Sequence, residues 1–299
     1  MTGAGRGIGR AYALLLAERG GSIVVNDLGG STDGLGADSG PASSVAAEIA
    51  KAGGIAVADT ADVSTTSGAH ALVEHAISEF GRIDILINNA GIIRFATWGK
   101  SSPAQGESNL EAHLAVHLGG SVNTTRATWP HMVERGYGRI VMTTSSGIFG
   151  LSNNTAYAAA KAAVIGLTRS IALAGAEHGI KVNLIAPAAM TRMAGPASPE
   201  AATQMAPELV SPMAAFLSHE DCPVTGEIYT AGAGRFARLF IGSTDGYVHQ
   251  GPTPAIEGIA ENWSKINDES GYFVPADLMD WSQKFMSHLP QPARDDAES

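Results

Sequence analysis

Short, β-branched apolar runs alternate with segments of helical periodicity along most of this chain, and that alternation leaves few folds open. Ser22-Ile23-Val24-Val25-Asn26-Asp27 precedes a helical pattern over 45–52, Ile55-Ala56-Val57-Ala58 precedes one over 69–80, and Ile83-Asp84-Ile85-Leu86-Ile87-Asn88 precedes a long one over about 109–135. Further pairs follow at 139–144 with 155–176, and at 181–186 with a more broken segment. Strand-length apolar runs separated by helices build a parallel sheet covered on both faces. The expected fold is α/β, a doubly wound, Rossmann-like parallel sheet. In such a sheet the phosphate-binding loop follows the first strand, which lies centrally, yet only Met1 precedes Thr2-Gly3 here. The sheet is therefore expected to lack its first, middle strand. The chain over 1–299 is expected to be unstable, aggregating or inactive until about ten upstream residues restore a strand and its turn.

The pattern changes after Gly226-Glu227-Ile228-Tyr229-Thr230. The chain divides on this reading into a dinucleotide-binding catalytic domain over 1–230 and a C-terminal extension over 231–299, which caps the site or joins an oligomer interface. The extension is expected to hold a strand over 236–241, a helix near 254–267 and a frayed polar tail over 295–299. A long polar βα loop is expected over 28–41, and the Pro-, Met- and Ala-rich stretch 188–207 is expected to be a mobile loop near a site. Charged residues are 16% of the chain against a usual ~25%, and 44% are hydrophobic, so charge-driven disorder is excluded. A net charge of −10 argues against nucleic acid or an anionic membrane surface as partner. The single Cys222 forms no internal disulfide, no apolar run approaches the ~20 residues of a membrane span, and Met1–Gly5 lacks a leader's basic and apolar regions. A cytoplasmic location is expected.

The chemistry starts at Thr2-Gly3-Ala4-Gly5-Arg6-Gly7-Ile8-Gly9-Arg10, which runs straight into a helical pattern. Glycines at a helix N-terminus let backbone N–H groups approach a pyrophosphate. Asp27 ends the following strand, eighteen residues after Gly9, where a carboxylate can accept hydrogen bonds from a ribose. An ordinary βα turn is the alternative, since glycine is abundant in this chain. Tyr157 and Lys161 are four apart in an Ala-rich helix and share one face, so an ammonium can lower the phenol's pKa and make it a usable proton donor and acceptor. The bland alternative is a surface pair.

Thr2-Gly3-x-x-x-Gly7-x-Gly9, Asn88-Asn89-Ala90-Gly91, a Thr/Ser cluster over 143–146, Tyr157-x-x-x-Lys161 and Pro187 followed by Thr191 resemble, in order and spacing, the short-chain dehydrogenase/reductase family over about 1–230. Gly9-Arg10-Ala11-Tyr12-Ala13-Leu14, Val25-Asn26-Asp27-Leu28-Gly29-Gly30, Val116-His117-Leu118-x-Gly120, Gly232-Ala233-Gly234 and Asn262-Trp263 are similar to its (3R)-hydroxyacyl-CoA dehydrogenase members, also described as 17β-hydroxysteroid dehydrogenases. The resemblance implies that Gly3, Gly7, Ile8 and Gly9 line the pyrophosphate and Asp27 holds the adenosine ribose. It implies that Asp62 and Val63 meet the adenine, and that Asn89 with Thr191 borders the nicotinamide. Tyr157 would be the acid/base, Lys161 would bind the nicotinamide ribose and lower the Tyr157 pKa, and a Ser hydroxyl would hold the substrate oxygen. The implied cofactor is NAD rather than NADP, because the Asp27 carboxylate repels a 2′-phosphate. The implied substrate is a secondary alcohol or its ketone, a 3-hydroxyacyl-CoA ahead of a hydroxysteroid, turned over by a homodimer or homotetramer. A nucleotide-binding protein without turnover is the reading from another class.

Several positions depart from the family pattern. Counting along the strand from Gly138-Arg139 puts the supporting hydroxyl at Ser145, whereas counting back from Tyr157 lands on Thr144; strand register favours Ser145. His117 stands where many members carry an Asn that anchors a relay water, and either a proton relay or helix packing suits an imidazole there. Ala188 replaces a Gly after Pro187. His113 and His117 are four apart, but no third ligand is placed by the sequence, so packing is preferred to a metal. Arg6 could attract a 2′-phosphate, though exposure to solvent is the commoner fate, and the four Trp are read as core or interface anchors.

Overall fold

In the computed structural model, which describes residues 1–251 and 253–289, the apolar runs become strands and the periodic segments the helices between them. The tail expected over 295–299 lies outside the described residues. In chain order the elements are α1 (Gly7–Glu18), β1 (Ser22–Asn26), α2 (Gly40–Lys51), β2 (Ile55–Asp59), α3 (Thr66–Phe80), β3 (Ile85–Asn88), α4 (Pro103–His113), α5 (Gly120–Arg135), β4 (Gly138–Thr143), α6 (Thr155–Gly175), β5 (Ile180–Pro187), α7 (Pro199–Gln204), α8 (Ser211–Leu217), β6 (Ile228–Gly232) and β7 (Arg235–Leu239). This is the doubly wound α/β architecture. β1 pairs with β2, and β3 through β7 form a second, five-stranded sheet, all parallel except the β6–β7 pair.

Among the described residues, the start of the chain runs between the two sheets. Met1 N donates to Val24 O at 3.1 Å, Asn26 N to Met1 O at 3.0 Å, and Thr2 N to Ile87 O at 3.0 Å. Met1 and Thr2 thus hold strand-like bonds to both neighbours over two residues, where a doubly wound sheet has a full strand.

Strand alternation divides the core into two layers. Ile140, Met142, Val182 and Leu184 face Met132 of α5 and Val164, Ile165 and Ala172 of α6, while Ile87, Val141 and Ile185 face Tyr12 of α1, Leu217 of α8 and Val210 just before α8. Burying each such side chain stabilises the fold by about 1.5–3 kcal/mol. The helix Thr155–His178 has 24 residues and an 18-residue stretch of mean hydropathy 1.3, long and apolar enough to cross a membrane, which corrects the expectation that no apolar run approaches that length. Its Val164, Ile165 and Ala172 lie in the core of the sheet, which accounts for the composition.

Other corrections have local causes. The helix expected over 109–135 begins earlier, where Ser102 and Gln105 form a capping box ahead of Pro103, and it passes through a π-helical turn at Leu114–Gly119 before α5. The strand expected over 236–241 is β7, and it belongs to the main sheet because Arg235–Leu239 pairs antiparallel with Ile228–Gly232. The chain accordingly parts into Met1–Leu239 and Phe240–Ser299 rather than after residue 230. Within the second unit Ser243 bridges Phe273, and the helix expected over 254–267 is split at Asn262 into α9 (Ile256–Glu261) and α10 (Trp263–Ile266), ahead of α11 (Leu278–Phe285). The loop over 188–207 contains the short helix α7, capped by Ser198.

Candidate active site

The glycine loop is shaped by contacts that leave no room for side chains. At Gly3 the backbone is left-handed, with φ +60°, and at Gly9 an added Cβ would lie 2.1 Å from Gly3 O and 2.5 Å from Asn89 Nδ2. Thr2 Oγ1 accepts from Asn89 N and Ala90 N, both at 3.0 Å, and Asn89 Nδ2 donates to Gly3 O at 2.9 Å. The Asn88-Asn89-Ala90-Gly91 turn after β3 is thereby stapled to the loop before α1. Asp27 Oδ2 accepts from Gly5 N at 2.9 Å and Oδ1 from Gly29 N at 2.8 Å, so the carboxylate sits at the end of β1 against the same loop. Asp62 Oδ1 accepts from Ser64 N and Ser64 Oγ, and Val63 is buried beside it.

These groups line a cavity of about 430 Å³ that brings together Gly3, Gly7, Ile8, Gly9, Asp27, Asp62, Val63, Asn89 and Thr191. Arg6 also lines it and is not a free surface group: its guanidinium donates to Gly30 O at 3.0 Å and Gly29 O at 3.3 Å. Arg192 reaches the Gly30 carbonyl too, at 3.2 Å, and its pKa is lowered by burial and by the Arg6 cation. The sequence alone left Arg192 unremarked, because no spacing rule connects position 192 with the loop after β1.

A second cavity of about 320 Å³ shares Ile8, Asn89, Gly91, Thr191 and Met193 with the first and ends at Tyr157, Lys161, Ser145 and His117. Ser145, just past the end of β4, lines this pocket together with Tyr157, and its Oγ accepts from Gly147 N at 3.0 Å. Thr144 turns the other way, donating its hydroxyl to Lys161 O at 2.8 Å inside the core. Lys161 Nζ donates to Thr143 O at 2.8 Å and lies 5.8 Å from the Tyr157 ring centre. Burial lowers the Lys161 pKa to about 7. The expectation that Lys161 lowers the Tyr157 pKa is corrected. Burial of the phenol raises it, with only the Ser145 hydrogen bond opposing, because the ammonium is itself desolvated and turned to the Thr143 carbonyl.

His117 sits in the π-helical turn with its ring edge-on to Tyr157 at 5.2 Å and stacked on His113 at 5.8 Å. Its Nε2 faces the Ile92 backbone, 2.8 Å from the carbonyl oxygen and 3.3 Å from the amide nitrogen, and its Nδ1 is buried without a partner. Burial and then the Lys161 cation hold its pKa well below the usual 6.5, so the ring is neutral. Both nitrogens of His113 are engaged by backbone, Nδ1 with Asn109 O and Nε2 with Arg94 N. Asn154 is a lining residue that the sequence reading passed over; its Oδ1 is buried without a partner. Ala96 N donates to Asn153 O at 2.9 Å and Trp98 N to Ser152 O at 3.4 Å, so two loops are clasped together, and of the cavity lining Phe95 and Leu151 are exposed.

A doubly wound sheet with a glycine cradle at a helix N-terminus, a ribose-height carboxylate and an adjoining Ser–Tyr–Lys pocket defines a dinucleotide-dependent oxidoreductase. The cradle closed to any Cβ, the carboxylate at its end and the continuous cavities fit a nicotinamide dinucleotide. The chain belongs to the short-chain dehydrogenase family, whose model matches residues 1–201. It is 43% identical over 273 residues to a short-chain type dehydrogenase/reductase of Mycobacterium tuberculosis, covering 91% of this chain and 94% of that one. It is 41% identical over 286 residues to the peroxisomal multifunctional enzyme type 2 of Mus musculus, covering 94% of this chain but only 38% of that larger protein. A 7α-hydroxysteroid dehydrogenase solved with NADH and 7-oxo glycochenodeoxycholic acid superposes with a TM-score of 0.68 at 29% identity, over 78% of this chain and 91% of that one. The protein is an oxidoreductase of CH–OH groups that uses a nicotinamide cofactor and a small-molecule substrate.

Proposed function

We propose that this chain interconverts a 3-hydroxyacyl-CoA and its 3-ketoacyl-CoA with NAD. The observation that carries the reading is a pocket lined by the Ser145 and Tyr157 hydroxyls and, in the same lining, the exposed apolar side chains of Phe95 and Leu151. Polar and apolar groups in one lining suit a long acyl chain whose oxygen is held at one end. Sequence likeness to hydroxyacyl-CoA dehydrogenases, from the Val116-His117-Leu118-x-Gly120 segment among others, supports the same substrate class.

Gly3, Gly7, Ile8 and Gly9 would hold the pyrophosphate, Asp27 the adenosine ribose, Asp62 and Val63 the adenine, and Asn89, Thr191 and Lys161 the nicotinamide end. Bound there, the nicotinamide accepts or supplies hydride. The chain's own residues handle the oxygen and its proton. Ser145 holds the substrate oxygen against Tyr157. With its pKa raised by burial, Tyr157 keeps its proton at neutral pH and is set to donate it to a ketone oxygen; in the oxidation direction the phenol must first lose that proton, so alkaline pH favours oxidation. Lys161, with a pKa near 7, exchanges protons in the working range behind it. The unpartnered Nδ1 of the buried His117 ring, which packs edge-on against Tyr157, supports the relay over the packing reading.

NADH formation across a panel of 3-hydroxyacyl-CoAs and hydroxysteroids tests this. Turnover of the acyl-CoAs is the expected result. Turnover of a hydroxysteroid alone would favour the reading suggested by the NADH-complexed relative, and activity only on small polar alcohols would remove both.

A further inference from the structure

A further cavity, of about 450 Å³, adjoins the pocket that holds Ser145 and Tyr157. Phe95 lines both, and Ala96 of the neighbouring cavity bridges Asn154 of the pocket. Each of the two contains one buried amide, Asn154 at 4% exposure in the pocket and Asn109 at 8% in the neighbouring cavity, and in each the Oδ1 has no hydrogen-bond partner. The fold gives neither oxygen a task. Asn154 holds the N-cap position of α6, where an Asn oxygen ordinarily accepts from the first turn, yet its side chain makes no cap bond. Asn109 donates through Nδ2 to Arg94 O at 3.3 Å, which occupies the nitrogen and leaves the oxygen over. Buried oxygens of this kind are nearly always paired, so both call for a hydrogen-bond donor from outside the chain. The neighbouring cavity also brings donors of its own: Arg94, fixed by its Nε bond to Asp33 O at 2.6 Å, and the Ser101 and Ser108 hydroxyls. It stands one ring away from the phenol. His113 Nε2 accepts from Arg94 N at 3.2 Å, and the His113 ring lies edge-on to Tyr157 at 6.0 Å.

We propose that the neighbouring cavity receives the carrier arm of a thioester substrate, and that this arm bears successive amide groups, as a pantetheine chain does. The amide nearest the sulfur is also nearest the reacting carbon, and its N–H meets Asn154 Oδ1. The next amide along the arm meets Asn109 Oδ1, and the arm's carbonyl and hydroxyl oxygens take the Arg94, Ser101 and Ser108 donors. The inference rests on the 3-hydroxyacyl reading above and extends it from the reacting end to the carrier. It also separates the two substrate classes by chemistry, because a steroid nucleus has no N–H to offer either amide.

The test puts one 3-hydroxyacyl chain on a series of carriers: the ethyl thioester without an amide, the N-acetylcysteamine thioester with one, and the pantetheine and CoA thioesters with both. The kcat/KM with NAD is measured for the parent, Asn154→Ala and Asn109→Leu. In the parent it is expected to rise by about 3–10-fold with the first amide and again with the second. Asn154→Ala should remove the first rise and Asn109→Leu the second. Damage to the fold or to the cofactor site lowers every carrier together and leaves these ratios unchanged, and NADH affinity and Tm report it separately. A flat parent series, or ratios in both variants equal to the parent's, overturns the arm site, while turnover of the ethyl thioester leaves the 3-hydroxyacyl reading standing. Turnover of none of the thioesters overturns both. A carrier-protein thioester of the same acyl group, turned over better than the CoA thioester, keeps the arm site and overturns CoA as its source.

Discussion

Tyr157 and Lys161 share a helical face, but each responds to its own surroundings. Tyr157→Phe should lower turnover by about 10²–10⁴-fold while NADH affinity, read by fluorescence, changes little. Ser145→Ala should lower kcat more than Thr144→Ala, whereas Thr144→Ala should lower Tm more, because it strips the Lys161 carbonyl of its hydroxyl partner inside the core. Lys161 also marks the pH dependence of stability. Its pKa falls from 10.5 unfolded to about 7 folded, so between those values the unfolded chain binds the additional proton and stability rises with pH. Urea unfolding from about pH 7 to 10 should show that rise in the parent and a flatter profile in Lys161→Met. The i,i+4 spacing was legible in the sequence; the direction of the Tyr157 shift was not, since burial is set by β4, α6 and the loops around them. The choice between Ser145 and Thr144 likewise followed from which way each hydroxyl turns at the end of β4.

Elements carry the cofactor geometry through backbone positions more than through side chains. Gly9→Ala should abolish NADH binding and destabilise the fold by about 1–3 kcal/mol, since its Cβ would press on Gly3 O and Asn89 Nδ2 at the first turn of α1. Equilibrium binding with denaturant unfolding checks both halves. The glycine spacing announced this loop because left-handed and crowded backbone positions leave a trace in residue type. The π-helical turn at Leu114–Gly119 left no such trace, yet it sets His117 against Tyr157. β7 was legible as an apolar stretch but not as a member of the main sheet, because antiparallel pairing with β6 depends on the Gly232-Ala233-Gly234 turn, where Ala233 adopts a φ of 50°.

For the whole molecule, cofactor binding is linked to unfolding. NADH at about 100 times its Kd should add about 2.7 kcal/mol of stability and raise Tm by several degrees, and NADPH at the same concentration should do less. Asp27 opposes a 2′-phosphate, while the Arg6 and Arg192 guanidinia at the same cavity are drawn onto the Gly29 and Gly30 carbonyls. An equal or larger shift with NADPH would reverse the assignment of NAD, and the measurement needs no substrate.

The chain's order of apolar runs and helical periods determined the doubly wound architecture, and the spacing of Gly, Asn, Tyr and Lys determined where a dinucleotide and a proton carrier belong, because local periodicity and backbone conformation are written residue by residue. Among the described residues, Met1 and Thr2 run between β1 and β3 and bond to both. Only the tertiary structure decided which hydroxyl meets Tyr157, which way burial moves each pKa, how Arg6 and Arg192 are engaged, and where the main sheet ends. Each of these depends on groups far apart in the chain meeting in a low-dielectric interior, and no run of adjacent residues encodes that encounter.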